Sequence, residues 1–168
     1  MNSPIHTKRK TFSIIELVMV IVALGVFSVA VVVSIDSAKV NKLIGAASKL
    51  TFDIRYAQQL ALSRHTTCGV SFDPGNDTYF VYVGDTSTKA IDPHMRTEFI
   101  VDFTSQSEYS GIDLASTDFG DLLSFDSIGT PYDSSAVALS SQGNIVLGTG
   151  SYTKTVTVQP STGKVEVQ

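Results

Sequence analysis

Residues 12–35 read FSIIELVMVIVALGVFSVAVVVSI, with Glu16 as their one charge, and Lys8-Arg9-Lys10 stands just before them. From Leu17 to Ile35 there are 19 residues without a charge. A helix needs about 20 apolar residues to cross a hydrocarbon core, whereas the apolar part of a cleavable secretory signal runs to roughly 7–15. The length therefore favours a spanning helix. Ser28-Val29-Ala30 also fits a small-residue cleavage site, so a signal peptide is the alternative reading. By the positive-inside tendency the Lys8-Arg9-Lys10 end is expected to stay cytoplasmic, with the rest of the chain on the outer side.

The apolar run does not end in a turn signal. Residues 40–65, VNKLIGAASKLTFDIRYAQQLALSRH, continue it with Val40, Leu43, Ile44, Ala47, Leu50, Ile54, Ala57 and Ala61 three or four apart. That is the helical period, and Lys42, Lys49, Asp53, Arg55, Gln58 and Gln59 are expected on the other faces. No proline occurs between Pro4 and Pro74. The spacing predicts one helix over 12–64, which at 1.5 Å per residue extends about 80 Å. Its first half is apolar all round, as lipid requires, and its second half is amphipathic, as packing on a globular domain requires. Gly25 and Gly45 are its weak points, at about 1 kcal/mol each against alanine.

After residue 65 the apolar period becomes two. Phe99, Val101 and Phe103 fall on one face of 97–103, and 155–158 and 164–167 alternate likewise. Segments 66–72, 78–83, 136–139 and 144–147 also have strand character. The turn compositions Asp73-Pro74-Gly75-Asn76-Asp77 and Pro160-Ser161-Thr162-Gly163 predict hairpins, and Ser141-Gln142-Gly143-Asn144 a further turn. Residues 104–135, rich in Ser, Asp, Gly and Thr, are expected to form a long connection with a short strand near 122–125. The fold class expected is α+β. A long N-terminal helix, transmembrane in its first half and amphipathic in its second, packs on a mainly antiparallel sheet of seven or eight strands. The organisation expected is a cytoplasmic leader over 1–11, a transmembrane segment over 12–35, the amphipathic half-helix over 36–64 and a β-rich domain over 65–168.

Charge and composition exclude several functions. The 168 residues carry 12 basic and 16 acidic side chains, a net −4. Setting aside Lys8, Arg9 and Lys10 leaves nine basic residues and a net −7; omitting Glu16 as well gives −6 for 36–168. Nucleic-acid binders draw most of their affinity from basic patches, so no nucleic-acid partner is expected. Cys68 is the sole cysteine, which rules out an intrachain disulfide and suits a buried small apolar residue. Of three histidines, His65 follows the helix as a C-terminal cap and His94 lies beside Pro93 in a loop. There is no His-Glu-x-x-His, no Gly-x-Ser-x-Gly and no phosphate-binding glycine loop; Gly148-Thr149-Gly150 is only a turn. No enzyme, cofactor or metal is expected. Asp73, Asp77, Asp113, Asp118, Asp121 and Asp126 are oxygen donors of the type calcium takes, but without its loop spacing, and read as turn acids. Asn76-Asp77-Thr78 has the spacing of a glycosylation acceptor and is read as shaping a turn.

Glu16 is the residue that asks for an explanation. A carboxylate at membrane depth costs roughly 2.5–3.5 kcal/mol on insertion scales and marks function by default. It can be protonated, reach back to the interface, or pair with a cation from another chain. A cut before Phe12 would place a new α-amino group at the start of the apolar helix, and the Glu16 of one subunit could neutralise that amine in its neighbour. Breaking such a buried pair typically costs 3–5 kcal/mol.

Lys8-Arg9-Lys10-Thr11 followed by Phe12-Ser13-Ile14-Ile15-Glu16-Leu17 resembles the class III signal of type IV pilins and type II secretion pseudopilins. The resemblance implies cleavage by a membrane prepilin peptidase between Thr11 and Phe12, N-methylation of Phe12, and assembly guided by Glu16. The family prefers glycine before the cut, where this sequence has Thr11, a bulkier β-branched residue. Residues 53–64, DIRYAQQLALSR, resemble the helix end of the H-type pseudopilin and related minor pilin domain. Ser141-Gln142-Gly143-Asn144-Ile145-Val146 and Gly163-Lys164-Val165 resemble that domain's closing strands. The implied function is a minor pseudopilin of a type II secretion system, at or near the tip of a periplasmic pseudopilus that drives export of folded proteins. The alternative is a minor pilin of a type IV pilus. The implied partners are other pseudopilins or pilins, the peptidase, and a bacterial inner membrane with the C-terminal domain periplasmic.

Overall fold

A computed structural model describes the backbone of residues 13–168 and the side chains of 13–26 and 37–168. One helix, α1, runs from Ile14 to Arg64, and the chain divides into two compact units after Ala38. Helix α1 begins just after the non-helical Ser13, whose carbonyl accepts the amides of Glu16 and Leu17 at 3.0 and 3.1 Å. It ends at Arg64 because His65 turns left-handed, at φ 51°, and Thr66 N–H then caps the Ala61 carbonyl at 3.4 Å.

Ten strands follow among the described residues, all paired antiparallel. They are β1 (Cys68–Asp73), β2 (Thr78–Val83), β3 (Asp85–Lys89), β4 (Ile100–Asp102), β5 (Asp113–Thr117), β6 (Leu122–Phe125), β7 (Pro131–Tyr132), β8 (Gly143–Thr149), β9 (Tyr152–Val158) and β10 (Val165–Val167). One sheet has the order β3-β2-β1-β6-β7, and β4 pairs with the first half of β2 beside β3. The second has the order β10-β9-β8-β5. Both expected hairpins are present, β1–β2 around Asp77 (φ 53°) and β9–β10 around Ser161 and Gly163 (φ 64° and 62°).

The core lies in the unit Lys39–Gln168. Leu43, Ala46, Ala47, Leu50, Ile54, Ala57, Leu60 and Ala61 of α1 are buried, three or four apart. They form one cluster with Val70, Tyr79, Val81 and Phe125 of the first sheet and Leu114, Ile145, Leu147, Val156 and Val158 of the second. Four of the eight helical contacts are alanines, which let the backbones of helix and strands approach closely. Phe99, Val101 and Phe103 are buried together, as their alternation requires. Two glycines are imposed by packing: a Cβ on Gly69 would lie 2.3 Å from the Leu123 carbonyl oxygen, and one on Gly143 would lie 2.0 Å from the Phe119 ring.

Several expectations need correction. Ile44 is exposed, because it lies a step off the stripe that Leu43 and Ala47 define. Asp53, expected on a polar face, is buried. Residues 136–139 form no strand; only Ala138 bridges to Tyr132. The connection over 104–135 holds β5 and β7 besides the expected β6. Strand β3, Asp-Thr-Ser-Thr-Lys, escaped the sequence reading because it faces water and carries no apolar alternation.

Candidate assembly helix and its seat in the globular unit

The first described turns of α1 present apolar side chains to solvent on every side. Ile14 is 83% exposed, and Ile15, Leu17, Val18, Met19, Val20, Ile21, Val22, Leu24 and Val26 are all exposed too. Ser13 and Glu16 have the Ser-x-x-Glu spacing of a capping box, with Ser13 at the N-cap position. A carboxylate in the first turn is also favoured by the positive end of the helix dipole. Glu16 is exposed, and no ion pair involves it among the described residues. The expected cleavage and methylation residues, Thr11 and Phe12, lie outside the described residues, as do the side chains of 27–36. Among the described residues no helix is long and apolar enough to cross a membrane, and the expected segment over 12–35 lies partly outside them.

The second half of α1 is seated by polar side chains as well as by its apolar stripe. Gln58 Nε2 donates to the carbonyls of Gly129 (2.9 Å) and Thr162 (2.8 Å), joining the helix to two loops. Arg55 Nη2 donates to the Val165 carbonyl of edge strand β10 at 2.5 Å. Lys42 Nζ donates to Ser107 O (3.1 Å) and Ser110 Oγ (2.8 Å), holding the long connection against the helix. These bonds explain why Arg55 and Gln58 sit beside the apolar stripe. They satisfy backbone carbonyls that would otherwise lose water when the loops close over the helix.

One ionic cluster centres on a buried carboxylate, Asp53, with its partner Lys49 partly exposed. Lys49 Nζ lies 2.7 and 2.6 Å from the two oxygens of Asp53, and Tyr79 Oη donates to Asp53 Oδ2 at 2.8 Å. Burial pushes the Asp53 carboxyl up, against the pull of Lys49 and Tyr79. The fully buried Tyr79 hydroxyl is held well above its ordinary range by burial and by the Asp53 charge. Tyr79 stays protonated and acts as a donor. Every polar contact of Asp53 is internal to the unit, which fits a device fixing how α1 sits on β2. Sequence pattern did not single it out; the one available signal was an acid standing next to Ile54 in the apolar stripe.

Four of the candidate calcium acids accept N–H groups of the protein, Asp73 and Asp126 within their own turns and Asp77 and Asp118 across the fold. Asp73 Oδ1 accepts Gly75 N–H and Asn76 N–H at 3.2 and 3.3 Å, and Asp77 Oδ1 accepts Leu114 N–H at 2.8 Å. Asp118 Oδ2 accepts the backbone and side-chain N–H of Asn144, and Asp126 Oδ1 accepts Ile128 N–H and Thr130 N–H. Asp85, Asp92, Asp102 and Asp133 bind amides two residues on in the same way. His94 is an exposed turn residue, and Cys68 is buried, its thiol pushed up by burial.

No family model matches the chain, and no curated protein sequence does. Two crystal structures of the type IV minor pilin FimU from Pseudomonas aeruginosa strain PAO1 share its fold. One, in space group P21, has a TM-score of 0.55 at 13% sequence identity and covers 76% of this chain and 89% of that one. The other, in space group P65, has a TM-score of 0.51 at 14% identity and covers 75% and 92%. With a long N-terminal helix packed on antiparallel sheets, this chain has a type IV pilin-like fold.

Proposed function

We propose that the chain is a structural subunit of a pilin-like filament, entering it through the first half of α1. The carrying observation is that α1 exposes apolar side chains all round Glu16 at its start, while its second half is already committed to the core. An unburied apolar helix is stable only in lipid or against other helices. The proposed sequence of events uses both. The segment over 12–35 anchors the subunit in a bacterial inner membrane, a prepilin peptidase cuts between Thr11 and Phe12 and methylates Phe12, and Glu16 pairs with the amine of a neighbour. The role is structural rather than catalytic.

In the first setting the chain is a minor pseudopilin of a type II secretion system, at or near the tip. The helix end at 53–64 and the closing strands led by Gly143 and Gly163 support this reading. In the second it is a minor pilin of a type IV pilus, a reading favoured by the likeness to FimU. The acidic balance of 36–168 speaks against DNA uptake in either case. Deleting the gene separates the settings: lost exoprotein release with intact twitching is expected for the first, and the reverse would establish the second. For the mechanism, Glu16→Ala is expected to insert normally but to lose crosslinking to partner subunits. Unchanged crosslinking would sink the pairing, and an amino terminus still at Met1 in the recovered protein would sink the processing step.

A further inference from the structure

Outside the assembly helix the globular unit carries a groove of about 320 Å³ between α1 and the turn that joins β3 to β4. Phe52 and Tyr56 of α1 form one wall, Pro93 and His94 the other, and Phe99 the base. Phe52 is 63% exposed, although it sits in the middle of a helix whose neighbouring apolar residues are buried. Tyr56 and Phe99 pack at 5.6 Å between ring centroids, so the aromatic surface is continuous.

The groove also has a sign. Lys49, Asp53 and Asp92 line it. Lys49 is spent on Asp53, since its ammonium meets both carboxylate oxygens. That leaves Asp92 as the net charge. Asp92 uses Oδ1 to accept the amides of His94 (2.7 Å) and Met95 (3.2 Å), which fixes the carboxylate at the rim. Aromatic faces next to a fixed carboxylate are what an ammonium or guanidinium group prefers. Lys49 Nζ already lies 4.8 Å from the centroid of the buried Phe99 ring, so the aromatic faces open to a further cation are those of Phe52 and Tyr56. The volume stands at the low end for a ligand cleft. It admits one long side chain and not a helix.

We propose that this groove receives a lysine or arginine side chain from a different, more basic subunit of the same filament. Charge selects against a second copy, because residues 36–168 carry −6 and two such units repel. The inference rests on the filament reading for its partner, but its chemistry is read without any filament.

The full chain in detergent micelles is titrated with n-butylguanidinium and with its uncharged analogue n-butylurea, following the Tyr56 and Phe99 ring resonances. Saturable shifts are expected, with about threefold tighter binding of the guanidinium. Asp92→Asn keeps the Oδ1 acceptor of the turn and is expected to abolish that preference. Phe52→Ser is expected to weaken both probes without changing the urea midpoint. Equal binding of the two probes, or shifts that do not saturate, overturns the proposal. Self-association of the wild type that is lost in Phe52→Ser also overturns it, in favour of a second copy. A chain that binds the guanidinium yet enters no filament defeats the proposed function alone. A chain that assembles with an indifferent groove defeats this inference alone.

Discussion

The two halves of α1 both carry many apolar residues and meet opposite fates. Over 14–26 the apolar residues lie on every face and all of the large ones are exposed. Over 43–61 a stripe from Leu43 to Ala61 recurs at the helical period and is buried to the last few per cent of its surface, and only Ile44 and Phe52, off that stripe, are exposed large hydrophobics. The difference lies in the residues between. Lys42, Lys49, Arg55 and Gln58 interrupt the second half, so a single stripe is left and one β domain can cover it. Nothing but Glu16 interrupts the described turns of the first half, and no one-sided partner can cover a cylinder. A helix of the first kind has to be completed from outside the chain; one of the second kind is complete within it.

Paired truncations give the largest test of that contrast. Ile54→Ala is expected to lower the unfolding free energy of the globular unit by about 2–5 kcal/mol, the range for an aliphatic core truncation. Ile21→Ala should leave the same urea transition unmoved. Similar losses from both would mean that the first half is also packed within the chain, and would break the comparison.

A smaller effect is expected where the second half meets its loops. Gly163 has φ 62°, and a Cβ there would stand 2.5 Å from Gln58 Nε2 and 2.9 Å from the Phe125 ring. Gly163→Ala is expected to cost about 1–3 kcal/mol through overpacking and backbone strain. Urea unfolding measures it. A neutral result would show that the 159–164 loop can lift away from the helix without loss.

The smallest effect is a dependence on pH, and its two parts have opposite signs. The Thr104 hydroxyl and N–H, followed by Ser105, hold Asp102 down to about 2 from 3.8. That contribution is complete above pH 3.8 and is lost as the pH falls towards 2. Asp85 is lowered by the hydroxyl and N–H of Ser87; at Asp126 burial pulls upward but the Thr130 and Ile128 amides outweigh it. Asp53 is raised, so the folded state favours its protonated form and stability declines as the pH rises from 3.8 through its folded pKa. Asp102→Asn should flatten the acid limb of a urea-midpoint profile, and Asp53→Asn should remove the decline above pH 3.8. An unchanged acid limb in Asp102→Asn would show that its turn bonds also survive protonation.

Legibility followed periodicity. The helix, its buried stripe, the hairpins at 73–77 and 160–163, the strand at 122–125 and the shared face of Phe99, Val101 and Phe103 could all be read, because each repeats at 3.6 or at 2 or carries turn residues. Strand β3, all polar and exposed, had no period to read. Strands β5 and β7 are held by their neighbours: β5 pairs along β8 and buries Leu114, and β7 is two residues pinned to β6. The groove beside Phe52 was invisible for the same reason. Its two walls are 40 residues apart in the chain and only folding brings them together.

By itself the sequence determined that a long apolar helix begins with a lone acid after a basic cluster, and that an acidic α+β domain follows. Both facts rest on local order, on which residue types succeed one another and at what interval. Tertiary structure alone decided that Asp53 is buried against Lys49 and Tyr79, that Ile44 and Phe52 face outward, and that Asp77 and Asp118 reach across the fold to Leu114 and Asn144. A side chain's neighbours across the fold set its burial, its charge state and its partners, and no interval along the chain encodes them.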